Sequence, residues 1–387
     1  MWEIYPPQSN MTALFVTALY DLKTIEQSSA RRSLSEYYKH KDYLCSLTQP
    51  LIIFTDPYLE PELKSLFEAS SHIQIIPLPW DQLRYMDRME QIRTNMSLHP
   101  FQTDNANKTT ASYSVMMWNK FEFVYKSYQL FPTYDKYVWI DFGLGEVVKD
   151  HMCSMNDVLK QFDDTHFCCT IINPLVPSEY NSLDECFGSW KYRQVGGFWS
   201  IGRQGIEFFL SYLRSEIDWV LQHGRVCMDE EVMARFSYAH PERCKFSFGD
   251  YGSCVVNWLG LKHDLHVARR AIDKVQQHGK HCMAVTGFEK LLQSYVQRWI
   301  PWSPSDVMRL LMTYYIEMYY IDKVRARAIA IKFLHMANEH SDAHEYYQNN
   351  MTHIKSNFNF VLTNTEWEEL SPQGGISGWM AQLSAQM

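Results

Sequence analysis

Three apolar runs of strand length each stop at an acid. "ALFVTALYD" closes on Asp21, "LIIFTD" on Asp56 and "YVWID" on Asp141. A short apolar run rich in β-branched and aromatic residues, cut off by a polar one, predicts a strand buried on both faces. Between these runs stand stretches with apolar residues at helical spacing, such as "RRSLSEYYKHKDYLCSL" and "SVMMWNKFEFVYKSYQLFP". Strand and helix in alternation predict βαβ units, hence an α/β fold with a mostly parallel sheet flanked by helices. In open sheets of this kind ligands bind beyond the carboxyl ends of the strands. Asp21, Asp56 and Asp141 all fall there.

The same reading makes "IQIIPLP", "HFCCTII" and "VGGFWSIG" further strands, with helices near Ser154–Phe162 and from Gln204 to about Leu221. The polar stretch 81–111 reads as a helix breaking down into a loop. From about residue 262 strand runs vanish, and "SDVMRLLMTYYIEMYYIDKVRARAIAIKFLHMANEH" and "AHEYYQNNMTHIKSNF" are helical in pattern. Two regions follow: an α/β domain over residues 1–260 and a helical C-terminal region over 261–387. The helices of the latter end near Phe360, before a glycine- and serine-rich tail.

Charge and cysteine usage exclude several classes. A net charge of −8 argues against nucleic acid as the main partner, because phosphate neutralisation needs a basic surface. Nine scattered cysteines with no C-x-x-C pattern predict reduced thiols, a cytoplasmic setting and no structural zinc. The N-terminus lacks a basic region followed by a long apolar run, so no signal peptide is expected. No uninterrupted apolar window approaches the length of a membrane span. The aromatic share of 15% predicts either a well-filled core or an aromatic-lined cleft.

The triplet Asp141-Phe142-Gly143 matches the magnesium-binding motif of protein kinases. A Gly-rich loop, a V-A-I-K strand and an H-R-D loop are all missing, so the match is coincidental. The larger unit is more telling: a helix carrying Trp118 and Lys120, then "P-x-Y-D-K", an apolar strand and Asp141. It resembles the nucleotide-sugar unit of GT-A glycosyltransferases. "FVTALYDL", "RRSLSEYYKHKDYL", "LIIFTD", "MMWNKFEFV" and "YDKYVWIDFG" resemble, in order and character, the HtrL/YibB family, a set of proteins read as glycosyltransferases. The likeness covers roughly residues 12–260 and leaves out the C-terminal helices.

That resemblance implies a GT-A-like, Rossmann-type fold and transfer of a sugar from a nucleotide-diphosphate donor, with a UDP-sugar favoured, to a glycan or other hydroxyl acceptor. It implies a divalent cation, Mn2+ or Mg2+, held by Asp141 of an Asp-x-Asp-type motif. Here the second acid is replaced by Gly143, with Glu146 further along. Late histidines serve as metal ligands in some such enzymes, which makes His263 a candidate, His266 following three residues on. Thr17, Ala18 and Tyr20 at the end of the first strand, with Asp56, would face the nucleoside, and Lys120 the diphosphate. Gly196, Gly197 and Trp199 would line the acceptor side. Asp229 or Glu230, at the start of a helix, would be the general base.

Each residue also has a plainer reading. Asp141 and Asp56 are common strand-ending turn formers, and Tyr20 fits a half-buried core position. Lys120 is an ordinary surface cation, "GGFWSIG" a turn with an aromatic plug, and "MDEEV" a helix start whose acids the macrodipole favours. Two competing functions follow: a catalytically degenerate GT-A domain binding sugars or partners, and a nucleotidyltransferase. The latter usually carries a Gly-rich basic signature after the first strand, which "TALYDLKT" lacks.

Overall fold

The computed structural model describes residues 12–26, 33–100, 109–148, 155–175, 177–188, 191–249, 251–252, 254–255, 258, 288 and 304–370. The described residues up to Trp258 fall in one compact unit and Pro304–Leu370 in another.

The first unit is built on a seven-stranded sheet. Its strands are β1 (Ala13–Leu19), β2 (Leu51–Thr55), β3 (Ile73–Pro77), β4 (Lys136–Ile140), β5 (Phe167–Ile171), β6 (Gln194–Gly202) and β7 (Cys244–Phe248), in the order β3-β2-β1-β4-β6-β5-β7. Strands β3, β2, β1 and β4 are mutually parallel, and β5 is parallel to β7. Strand β6 runs antiparallel between β4 and β5. The expectation of a mostly parallel α/β sheet holds, with β6 as the reversal and β7 as a strand the apolar pattern did not announce. Every residue of β1, β2, β4, β5 and β6 is buried, as expected of strands covered on both faces. Edge strand β3 is only partly buried and ends on Pro77, a residue that cannot donate to a further ladder.

The helix Ala111–Leu130 covers the sheet over β1 and β4. Thr110 caps it by accepting the N–H of Tyr113 at 3.3 Å. Its Phe123 stacks near Phe54 (5.1 Å between ring centres), Tyr20 (5.9 Å) and Trp139 (6.2 Å). Much of the aromatic content is therefore core. The stretch 81–111, expected as a helix breaking down into a loop, holds two short 3-10 turns and a helix over Met89–Leu98, and residues 101–108 lie outside the described set. Asn119 ties that segment down: its amide exchanges hydrogen bonds with the backbone of Arg84 at 2.9 and 3.1 Å.

The second unit contains helices Pro304–Ile321, Lys323–Glu339, Ser341–Phe358 and Asn364–Leu370. The long helical pattern expected over its first part breaks at Asp322, whose carboxylate accepts the N–H groups of Val324 and Arg325 at 2.9 and 3.2 Å and so starts a new helix. The last helix lies past the expected end at Phe360. Thr363 and Glu366 announce it as a reciprocal capping box, each accepting the other's N–H. Among the described residues no helix is long and apolar enough to cross a membrane.

Candidate active-site cleft

A cleft of about 630 Å³ opens at the carboxyl ends of β1 and β4. That volume is in the range typical of sites for small molecules. Five carboxylates line it, Asp21, Asp141, Glu146, Asp229 and Glu230, against the two ammonium groups of Lys23 and Lys120. Five tyrosines, Tyr20, Tyr37, Tyr113, Tyr192 and Tyr251, also line it.

Asp141 stands immediately after β4. Its N–H donates to Gly197 O at 2.9 Å, which continues the β4–β6 ladder one step past the strand and fixes the residue's direction. Carboxylate Oδ1 accepts the indole N–H of Trp139 at 2.8 Å. The same oxygen lies 3.0 Å from Lys120 Nζ. With about a third of its side chain exposed, Asp141 is the most open member of the cluster it forms with Lys120 and Asp229.

Lys120 is buried at the centre. Its Nζ lies 2.8 Å from Asp229 Oδ2 and donates to Gly196 O at 3.1 Å, besides the contact to Asp141. The Asp229 contact is an ion pair without a well-aligned hydrogen bond. Burial alone would favour the neutral amine, but Asp141 and Asp229 outweigh it and hold the ammonium above the ordinary lysine pKa. Three oxygens thus surround a group with three N–H bonds.

Asp229, Glu230 and Glu231 open the helix Asp229–Ala239, and all three are buried. Trp118 Nε1 donates to Cys227 O at 3.0 Å, pinning the approach to that helix against the Lys120 helix. Glu231 points away from the cleft. Its Oε2 accepts the N–H of Met228 at 2.8 Å, while Oε1 has no hydrogen-bond partner. Burial pushes its pKa up to about 7, against the lowering effect of the Met228 N–H and Arg193. A carboxyl whose folded pKa exceeds its unfolded value favours folding below that unfolded value, and the benefit is lost as pH rises to the folded one. Stability is therefore expected to fall between about pH 4.5 and 7 by roughly 3 kcal/mol through this group alone. Glu231→Gln keeps the acceptor for Met228 and should flatten that slope, melting at a higher temperature than wild type at pH 8 but not at pH 4.5. Equal pH dependence in both proteins would show that Glu231 does not titrate there.

Glycines make this crowding feasible. A Cβ on Gly196 would stand 2.6 Å from Asp229 Oδ2, and one on Gly197 would stand 2.5 Å from the Tyr251 hydroxyl and 3.0 Å from Asp141 Oδ2. Side chains at these two positions would drive the carboxylates out of place. Burial, with Asp141 and Glu230 nearby, keeps the Tyr251 hydroxyl protonated far above its usual range.

Several expected site residues lie elsewhere or act differently. Thr17 is sealed inside the sheet, since every residue of β1 is covered on both faces, and its hydroxyl has no partner. Trp199 is likewise fully buried, packed among Phe121, Trp139 and Phe209, so it offers no face to a sugar. Asp56 does not line the cleft; it accepts the backbone N–H of Trp80 at 3.1 Å and serves the turn after β2. Lys120 belongs to the cleft, but its N–H groups face protein oxygens. Gly196 and Gly197 act by letting acids approach. Ala18, Tyr20 and Gly143 line the cleft, although the Tyr20 hydroxyl is spent on Leu78 O at 2.7 Å. His263 and His266 lie outside the described residues. Tyr37, Tyr113, Tyr192 and Tyr251 were not anticipated: single tyrosines carry no spacing signal, and only the fold brings these four together.

A divalent cation fits the donor set in a limited sense. Among the described residues no group of three His, Cys, Asp or Glu side chains comes together as a ligand cage. Mg2+ and similar ions, however, are commonly held by one or two carboxylates plus substrate phosphates and water. Asp141, partly exposed in an acid-rich cleft, suits that arrangement.

The family whose model matches this chain is described as "Bacterial protein of unknown function (HtrL_YibB)", and the match spans residues 11–254. The chain belongs to the HtrL_YibB family. The matched span takes in all seven strands and the residues that line the cleft. Comparison with curated proteins gives no match. Among solved structures, this HtrL_YibB chain is similar to mouse xyloside xylosyltransferase 1 in its apo form. The identity is 10% and the TM-score 0.37, over 61% of this chain and 85% of that one.

Proposed function

We propose that this protein is a glycosyltransferase that moves a sugar from a nucleotide-diphosphate donor to a hydroxyl acceptor, with Asp141 on the donor side and Glu230 as general base. The observation that carries the reading is the convergence of Asp141, Lys120, Asp229 and Glu230 in one cleft at the carboxyl ends of β1 and β4. The ends of β1 and β4 form the donor side, where Ala18, Tyr20 and Lys23 supply apolar and cationic contacts.

Within this reading Lys120 is a positioning residue. It holds Asp141 and Asp229 at fixed places and neutralises part of their charge. Asp229 forms that ion pair, and Glu230, one residue on and also lining the cleft, is assigned the base role. The acceptor oxygen attacks the anomeric carbon, the bond from that carbon to the donor phosphate breaks, and the acceptor proton passes to Glu230. A base on the face opposite the departing diphosphate gives inversion. A divalent cation, Mn2+ or Mg2+, would be held by Asp141 and the donor phosphates and would neutralise charge on the leaving diphosphate.

The test is nucleotide binding. UDP, GDP and CMP are titrated with and without Mn2+ against wild type and Asp141→Asn. Wild type should bind one of them more tightly with Mn2+, and Asp141→Asn should lose about 10- to 100-fold in affinity, the size of one charge-assisted contact. Binding of none of these nucleotides would overturn the reading. It would then leave a domain that binds sugars or partners without catalysis.

A further inference from the structure

Tyr192 shares a left-handed backbone with the buried Tyr85 and differs from it in place. Its φ is +47°, in the left-handed region that residues with a Cβ seldom adopt. It lies at the rim of the cleft with 41% of its surface exposed.

The chain on both sides of it is clamped. Lys191 Nζ reaches Glu179 Oε1 at 3.2 Å and Glu185 O at 2.7 Å. Arg193, fully buried, donates from Nη1 to Glu179 Oε2 at 2.8 Å. One carboxylate, Glu179, thus grips both neighbours of Tyr192. The flanking peptides are held as well. Lys191 O accepts from Asn173 Nδ2 at 3.0 Å, and Arg193 O accepts the N–H groups of Ile172 and Asn173, both at 3.1 Å. Strained backbone persists where its surroundings over-determine it, and such places cluster at ligand sites. Glycine would satisfy this backbone without strain. The chain carries instead a tyrosine that is 41% exposed and lines the cleft.

Its position gives the ring a task. Tyr192 precedes β6, on the side of β4 away from β1. In the glycosyl-transfer reading the nucleoside lies at β1, and Tyr192 enters the same cleft from the segment before β6, two strands away in the sheet order. A sugar presents C–H groups on its ring faces and hydroxyls around its edge. A half-exposed tyrosine in a cleft that carboxylates also line offers the matching surface: an apolar face, with polar groups in the same cleft.

We propose that Tyr192 is the stacking platform for the acceptor, and that the acceptor presents a pyranose ring there. This rests on the glycosyl-transfer reading, and the following experiment separates the two. Methyl β-D-glucopyranoside and methyl β-D-galactopyranoside are tested by saturation-transfer NMR with saturating UDP. UDP affinity is measured alongside for wild type, Tyr192→Phe, Tyr192→Ala and Tyr192→Gly. Wild type and Tyr192→Phe should show transfer to the ring protons of at least one glycoside. The signal should fall by tenfold or more in Tyr192→Ala and Tyr192→Gly, with UDP affinity unchanged in all four. Tyr192→Gly, freed of strain, should also melt about 2–4 °C above Tyr192→Ala. A glycoside signal that survives in Tyr192→Ala, or that is missing in wild type while UDP binds, overturns the proposal and leaves the glycosyl-transfer reading standing. If UDP, GDP and CMP all fail to bind wild type, the glycosyl-transfer reading falls and takes the proposal with it.

Discussion

Glu230→Gln is expected to lower turnover by about 10²- to 10⁴-fold, the usual loss on removing a general base, which is roughly 3–5 kcal/mol of barrier. Nucleotide affinity should stay at the wild-type value, because the base serves the acceptor hydroxyl and not the diphosphate. Glutamine keeps the size and the acceptor oxygen, so the melting temperature should move little. Asp229→Asn should behave differently. It breaks the contact with Lys120 and should lose stability along with activity. The two variants are compared by turnover, by nucleotide titration and by melting. If Glu230→Gln turns over at the wild-type rate, or if its lost activity tracks lost stability, Glu230 is a helix-opening acid and the base lies elsewhere.

Lys120→Met is expected to destabilise the α/β unit by about 3–5 kcal/mol, the cost of removing one partner from a buried ion pair. Asp229, with a side chain only 5% exposed, would be left beside Asp141 with no cation between them. A fall of roughly 10 °C in melting temperature follows for a unit of this size. The double variant Lys120→Met with Asp229→Asn tests the cause, since it removes the stranded charge as well as the cation. Much of the lost stability should return, while activity should not. A double variant no more stable than Lys120→Met alone would mean that packing of the lysine stem, and not the charge cluster, is what the substitution disturbs.

Much of the fold was legible along the chain because burial on both faces writes itself as an unbroken apolar run. Leu51–Thr55 and Lys136–Ile140 could be placed as strands from their residues alone, and Asp141 at a strand end followed from where the apolar run stopped. Strand β7 was hidden because Cys244 and Lys245 are only partly buried and break the apolar pattern. The antiparallel direction of β6 was equally hidden, since a strand covered on both faces reads the same in either direction. Local chemistry did carry signals that period counting passed over: Asp322 and the Thr363–Glu366 pair mark helix starts by the hydrogen bonds they can make.

By itself the sequence determined that the first part is a parallel-rich α/β sheet, that a separate helical part follows, and that Asp141 ends a buried strand. Apolar periodicity and capping are local properties, and a chain displays them before it folds. Only the tertiary structure decided which side chains share a cleft. Trp199 and Thr17 read as exposed ligand contacts, yet the layers on either side of the sheet close over them. Lys120, Asp141 and Asp229 are far apart in the chain, and their meeting depends on how one helix crosses the sheet and another begins beside it. The strained backbone of Tyr192 depends in the same way on Glu179 reaching both of its neighbours. Contacts between distant segments arise from packing, and no spacing rule along the sequence encodes them.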